Sequence, residues 1–293
     1  MAAAELAAES PIVEVTSQTG RPRVSVVIPA RDEGERVRGV LDRLFAALQR
    51  SAEVLVVVDT PADSTVAAAH AYAEHAGLGS AGASAGLASA GLASAGLAGA
   101  GCGAGERRLA CLVNEYGPGP ASAIRFGLDR ASAPVIVVLM ADGCDDAAQI
   151  DDLAFLVEQG AVVASASRYA PGGSQHGAPV VKRTLSRLAG VSLRALAGAG
   201  TCDATNSFKA YSAEFVRSAG VQSRRGFCVG IELTAKARRL RLPVAEIPTS
   251  WQERRSGRSG FRLARWLPAY LRWYLYCFGR PLRPHRADGA ASG

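Results

Sequence analysis

The chain has 293 residues, 48% of them hydrophobic, and a formal charge of +7. That length suits one large α/β domain with a sizeable core, and no second domain is demanded. No run reaches the roughly 18 consecutive apolar residues of a membrane-spanning helix, and six scattered cysteines with no C-x-x-C pair suggest neither a zinc site nor a disulfide framework. A reducing cytosol fits best. Arginines crowd the chain from Arg224 onward while acids cluster in the middle, which implies an anionic partner: a phosphorylated ligand, a membrane surface or nucleic acid. No recognised nucleic-acid motif accompanies the basic end, so nucleic acid is set aside.

In chain order, residues 1–20 carry no apolar run with a basic flank and are expected as a disordered tail. Val24 to Pro29 is a buried-type strand, followed by the polar loop Ala30 to Gly34. From Glu35 to Gln49, Val37, Val40, Leu41, Leu44, Phe45 and Leu48 recur at helical spacing. A second strand, Val54 to Val58, ends in Asp59, and Asp63 or Ser64 can cap the helix that runs through Tyr72. Residues 79–104, inside a repetitive Gly/Ala/Leu/Ser stretch, are expected as a flexible surface insertion, because such a segment cannot bury enough apolar surface to offset its ordering entropy. The pattern resumes with a strand at Leu109 to Val113, a loop at Gly117 to Pro120 and a helix from Ala121 to Ala131.

Val135 to Met140 reads as a central strand of a covered parallel sheet, six apolar residues ending in Asp142, Asp145 and Asp146. Carboxylates at the carboxyl end of such a strand suit a hard divalent cation, Mg²⁺ or Mn²⁺, holding substrate phosphates. The structural alternative makes Asp145 or Asp146 the cap of the helix that runs to Gln159. The ends of the two acid-terminated strands are expected side by side. A strand at Ala161 to Ser167 leads to Arg168 and Tyr169. Pro179 to Leu196 is basic and amphipathic, Thr201 to Tyr211 is a polar loop, and Val229 to Leu240 is a helix whose Glu232 either pairs with Lys236 or serves a substrate. A basic, aromatic helix from Phe261 to Phe278 has either the composition of a helix lying in a bilayer interface or that of one docked on the core. Strands alternating with helices make the fold class α/β, doubly wound and mostly parallel, with C-terminal amphipathic helices.

Six motifs in order carry a resemblance. They are Val26-Val27-Ile28-Pro29 with Arg31-Asp32-Glu33; Val57-Val58-Asp59 with Asp63-Ser64-Thr65; Gly117-x-Gly119 ahead of Ala123-Ile124-Arg125-x-Gly127; Met140-Ala141-Asp142-Gly143; Asp203-x-x-Asn206-Ser207-Phe208-Lys209; and Arg254-x-x-Gly257-x-Ser259. The chain resembles family 2 glycosyltransferases of the GT-A fold, in the dolichyl- or polyprenyl-phosphate mannosyltransferase branch.

That resemblance implies a Rossmann-like domain over residues 21–280, with a tail at 281–293. It implies an inverting enzyme that moves a hexose, mannose from GDP-mannose, to a polyprenyl phosphate at the inner face of the plasma membrane, as a cytoplasmic, peripherally bound protein. Asp59 would hold the nucleoside, with Pro29, Arg31 and Glu33 beside it. Asp142, with Asp145, would bind Mg²⁺ or Mn²⁺, and Asp142, Asp203 and Arg254 form the expected catalytic set. Arg125, Asn206, Ser207, Lys209, Glu232, Gly257 and Ser259 are expected to bind substrate. The family's usual Asp-x-Asp is here Met140-x-Asp142, its Asp-Asp-Gly-Ser is Val58-Asp59-Thr60-Pro61, and its Lys after the Ser is Gly260. A UDP-glucose donor with a soluble hydroxyl acceptor, or a catalytically impaired sugar-nucleotide binder, is the alternative these departures leave open. With a hydroxyl acceptor, Asp145, Asp203 or Glu232 would serve as the base.

Overall fold

The computed structural model describes residues 21–78, 107–177, 179–253 and 263–282. The tail at 1–20, the insertion at 79–104 and the second tail from 283 on lie outside the described residues. So do Arg254, Gly257 and Ser259. Leu282, at the start of the expected second tail, is tied down, its N–H donating to the Arg239 carbonyl at 2.7 Å.

A seven-stranded sheet runs in the order β3 (Arg107–Val113), β2 (Ala52–Val58), β1 (Val24–Pro29), β4 (Val135–Val138), β7 (Lys209–Ser212), β5 (Val163–Ser167) and β8 (Val244–Pro248). β3, β2, β1 and β4 are parallel, β5 and β8 are parallel to each other, and β7 is antiparallel to both β4 and β5. Alternate residues of each strand enter opposite layers, as the period of two requires. Val24, Val26 and Ile28 pack under α1 (Arg36–Ala47), α2 (Ser64–His75) and α4 (Ile150–Glu158). Val27, Leu55 and Val57 pack under α3 (Pro120–Arg130), α6 (Ala213–Ala219) and α7 (Val229–Arg239). Each such Val, Leu or Ile, fully buried, contributes about 1.5–3 kcal/mol. A Cβ added at Gly127 would meet Val27 Cγ1 at 2.3 Å, so only glycine lets α3 lie this close to β1.

The remaining helices stand at one end of the sheet. α5 (Val180–Ser192) runs into a π-helical turn, Leu193–Ala197. α8 (Leu263–Cys277) docks on α7 through the buried Trp273 and Cys277. β6 (Ser174–His176) and β9 (Ser250–Gln252) form a separate two-stranded ribbon.

The segment expected as a polar loop to Tyr211 ends in β7, and β6, β8, β9 and α6 were not expected at all. β4 and β2 are not neighbours: β1 lies between them, so the strand ends that lead to Asp59 and Asp142 are two strand spacings apart, about 10 Å. The chain reaches β2 and β3 on one side of β1 and returns for β4 on the other. That reversal is the point where open α/β sheets bind ligands.

Candidate functional site

A cavity of about 680 Å³ opens at the carboxyl ends of β1, β2, β4 and β5. Its first wall carries Pro29, Arg31 and Glu33 beyond β1, Asp59 beyond β2, and Gly119 before α3. Asp59 is held in place: both carboxylate oxygens accept from the Gly119 N–H, at 3.1 and 3.0 Å, and Oδ1 also accepts from Asn114 Nδ2 at 3.2 Å. Gly119 has φ +119°, a conformation that favours glycine and aims its N–H at the acid.

Met140, Asp142 and Asp145 form the floor. The Cys144 N–H donates to Asp142 Oδ1 at 3.0 Å, and the Met140 N–H to Asp145 Oδ2 at 3.3 Å. Asp146 is the cap, accepting from the Ala148 N–H at 3.1 Å, as one sequence alternative had it. Burial, and then the charge of Asp142, push the Asp145 carboxyl up to about 7. Two carboxylates crowded in this way carry a charge excess that a divalent cation would relieve. Among the described residues no group of three or more His, Cys, Asp or Glu could hold a metal ion. The pair therefore fits a cation such as Mg²⁺ that takes one or two carboxylates and fills its other positions with phosphate oxygens and water.

The opposite wall holds two cations absent from the expected site residues, Arg168 just beyond β5 and Lys182 on α5, the latter read in the sequence as part of a basic amphipathic helix. Arg168 is 9% exposed and braced by Asp203: Nε donates to Oδ2 at 2.7 Å, Nη2 to Oδ1 at 2.9 Å, and the backbone N–H to Oδ2 at 3.1 Å. Nη2 also donates to Ser186 Oγ on α5 at 3.3 Å. Burial opposes the Arg168 charge, but the Asp203 carboxylate more than offsets it and the pKa rises. Burial likewise draws the Lys182 ammonium below its usual value, and Arg168 adds to the effect. The available signal was positional, since Arg168 follows a strand end as Asp59 and Asp142 do.

Several expected site residues are placed elsewhere. Asp203 is fully buried with both oxygens engaged by Arg168 and by the Asn206 N–H, and it supports the wall through Arg168. Lys209 is buried on β7, its ammonium donating to the carbonyls of Asp203 and Asn206, and burial draws its pKa down to about 7. Glu232 pairs with Lys236 at 2.6 Å, as one sequence alternative had it, and accepts from the N–H groups of Gln222 and Ser223. Arg125 lies outside the cavity, its guanidinium 5.2 Å from the Tyr116 ring centre. Asn206 and Ser207 do line the cavity.

Trp266, Leu267 and Tyr270 of α8 and Leu185 of α5 complete the mouth. A Cβ at Gly190 would lie 1.8 Å from the Cys202 carbonyl oxygen, so this glycine lets α5 seat against the Asp203 loop.

No family profile matches the chain. It is 29% identical over 246 residues to the polyprenol monophosphomannose synthase of Mycolicibacterium smegmatis, covering 82% of each chain. It is 28% identical over 137 residues to the undecaprenyl-phosphate mannosyltransferase of Micrococcus luteus, covering 46% of this chain and 56% of that one. Its structure is similar to glucosyl-3-phosphoglycerate synthase from Mycobacterium tuberculosis, solved with Mn²⁺, UDP-glucose and phosphoglyceric acid. The TM-score is 0.59 at 16% identity, covering 94% of this chain and 90% of that one. The fold is the GT-A fold, and its kinship makes the chain a glycosyltransferase.

Proposed function

We propose that this glycosyltransferase is an inverting enzyme that transfers mannose from GDP-mannose to a polyprenyl phosphate while resting on a membrane surface. The observation that carries the reading is the set of acids and cations that one cavity brings together. Asp59 stands on the first wall, Asp142 and Asp145 on the floor, and Arg168 with Lys182 on the far wall. The nucleoside would lie along the first wall, where Asp59 accepts from ribose or base. Asp142 and Asp145 would hold the divalent cation, which supplies charge neutralisation for the leaving diphosphate. Arg168 and Lys182 would take the acceptor phosphate as cations, and the Asp203 brace, which engages Arg168 Nε and Nη2, keeps the guanidinium in place before the acceptor arrives.

A phosphate acceptor is already ionised near neutral pH, so the far wall needs cations more than a base. The positions of the expected bases agree: Asp203 and Glu232 are buried and engaged, and Asp145 belongs to the floor. The lipid tail has a route out. Leu185 and Leu267 line the cavity and are themselves exposed, and from them Val181 and Leu188 on α5, and Leu271 and Leu275 on α8, continue at helical spacing along the surface. Among the described residues no helix is long and apolar enough to cross a membrane, so these stripes would lie on its surface.

Transfer assays with GDP-mannose or UDP-glucose, Mn²⁺ or Mg²⁺, and a polyprenyl phosphate or phosphoglyceric acid test this reading. Mannose transfer to the lipid is expected, with Asp142→Ala reducing it by roughly 100-fold or more, the scale of losing one preorganised electrostatic contact. Arg168→Ala is expected to raise the KM for the lipid phosphate while leaving the donor Kd unchanged. Glucose transfer to phosphoglyceric acid, with none to the lipid, replaces this reading with a soluble-acceptor enzyme.

A further inference from the structure

We infer that Asp63 and Thr65, which do not themselves line the cavity, are positioning residues that fix the shape of its first wall; this rests on the reading of that wall as the donor site. Asp63 is a buried helix cap, and its Oδ1 accepts from the Thr65 N–H at 2.8 Å. Capping needs only that one oxygen, and serine does it as well. The second oxygen is used elsewhere: Oδ2 accepts from the Asp32 N–H at 2.9 Å, across 31 residues of sequence. The next amide is held in the same way, the Glu33 N–H donating to Thr65 Oγ1 at 3.1 Å.

These two bonds grip the loop where it is least relaxed. Asp32 has φ +52°, in the left-handed region that non-glycine residues rarely adopt. On either side of it, Arg31 and Glu33 line the cavity. Arg36 braces the loop's carbonyls, donating to Asp32 O at 3.1 Å and Glu33 O at 3.3 Å. With the amides held by α2 and the carbonyls by α1, Arg31 and Glu33 are presented to the donor from a preformed wall. Without the α2 bonds, donor binding must itself order the loop, and affinity falls by that cost. The chemical step, on the floor and far wall, does not involve these residues.

The test is Asp63→Ser combined with Thr65→Val, which keeps an N-cap hydroxyl at position 63 and the buried volume at position 65 but removes both loop acceptors. Thr65→Val alone leaves Asp63 intact and serves if the double variant does not fold. Three measurements are made: amide hydrogen exchange at Asp32 and Glu33, calorimetric binding of GDP-mannose and UDP-glucose with Mn²⁺, and steady-state kinetics. Exchange at the two amides is expected to quicken and the donor KM to rise about tenfold, the scale of one or two lost hydrogen bonds, while kcat and acceptor KM hold. A purely structural role would instead lower the active fraction and hence kcat. Unchanged exchange overturns the tether. Faster exchange with an unchanged donor KM overturns its role in binding. If the wild type binds neither sugar nucleotide, the donor reading of the wall fails and the positioning role fails with it, whatever the exchange shows.

Discussion

At the scale of single residues, Asp145 makes a prediction whose sign is fixed by its surroundings. Burial and the neighbouring Asp142 raise its pKa from 3.8 to about 7. The folded state therefore binds this proton more tightly than the unfolded state does. In the absence of metal, the stability linked to it is present below the unfolded pKa and is lost as pH rises through about 7. In a chelator, Asp145→Asn is accordingly expected to melt above wild type at about pH 8, with the gap closing toward about pH 4, because the amide never has to ionise. Added Mn²⁺ is expected to stabilise wild type more than the variant. A gap of equal size at both pH values contradicts the assignment. The place of Asp142 and Asp59 in the cavity was legible in the sequence because each follows an apolar strand toward the carboxyl edge of the sheet. Asp203 was not, and Glu232 only as one of two alternatives: in sequence a buried, fully bonded carboxylate looks the same as a catalytic one. Only the contacts with Arg168 and Lys236 separate the two cases.

At the scale of elements, α8 combines the two arrangements its composition allowed. One face is docked, with Trp273 3% exposed against α7 and the Lys236 ammonium 5.4 Å from its ring centre. The other face is apolar and open, with Leu275 60% exposed. The two faces differ in what they stabilise. In urea titrations, Trp273→Ala is expected to cost about 3–5 kcal/mol, and Leu275→Ser to change stability by no more than about 0.5 kcal/mol. Comparable losses would mean that the open face is covered in solution. Helices such as α1 were readable because Val37, Val40, Leu41 and Leu44 keep the helical period and all four are buried. β7 was not readable. It is four residues long, Lys-Ala-Tyr-Ser, and its lysine is buried in mid-sheet by two backbone carbonyls, which no rule of hydrophobic alternation anticipates.

At the scale of the whole molecule, the sequence revealed the doubly wound class but not the order of the strands, since nothing local to β2 or β4 states that β1 runs between them. That order matters because it spreads the acids and the cations across one cavity whose mouth is framed by α5 and α8. Both helices carry exposed leucines outward from that mouth, and Lys182, Arg183, Arg187 and Arg272 lie among them. Each basic residue close to an anionic bilayer contributes about 1 kcal/mol, an attraction screened beyond roughly 8 Å at physiological salt. The apolar side chains are insensitive to salt. In cosedimentation, the protein is therefore expected to pellet with anionic vesicles at low salt and to be partly released at high salt. Leu188→Ser with Leu275→Ser is expected to reduce binding at both ionic strengths, and Arg183→Glu with Arg187→Glu at low salt only. Activity separates binding from catalysis: because none of these four residues lines the cavity, the variants are expected to retain turnover on a short-chain, water-soluble polyprenyl phosphate while losing it on vesicle-embedded lipid. Equal losses on both acceptors would place the defect in the cavity itself. Full recovery of the wild type in the supernatant with anionic vesicles at low salt would mean that the stripes do not meet a membrane.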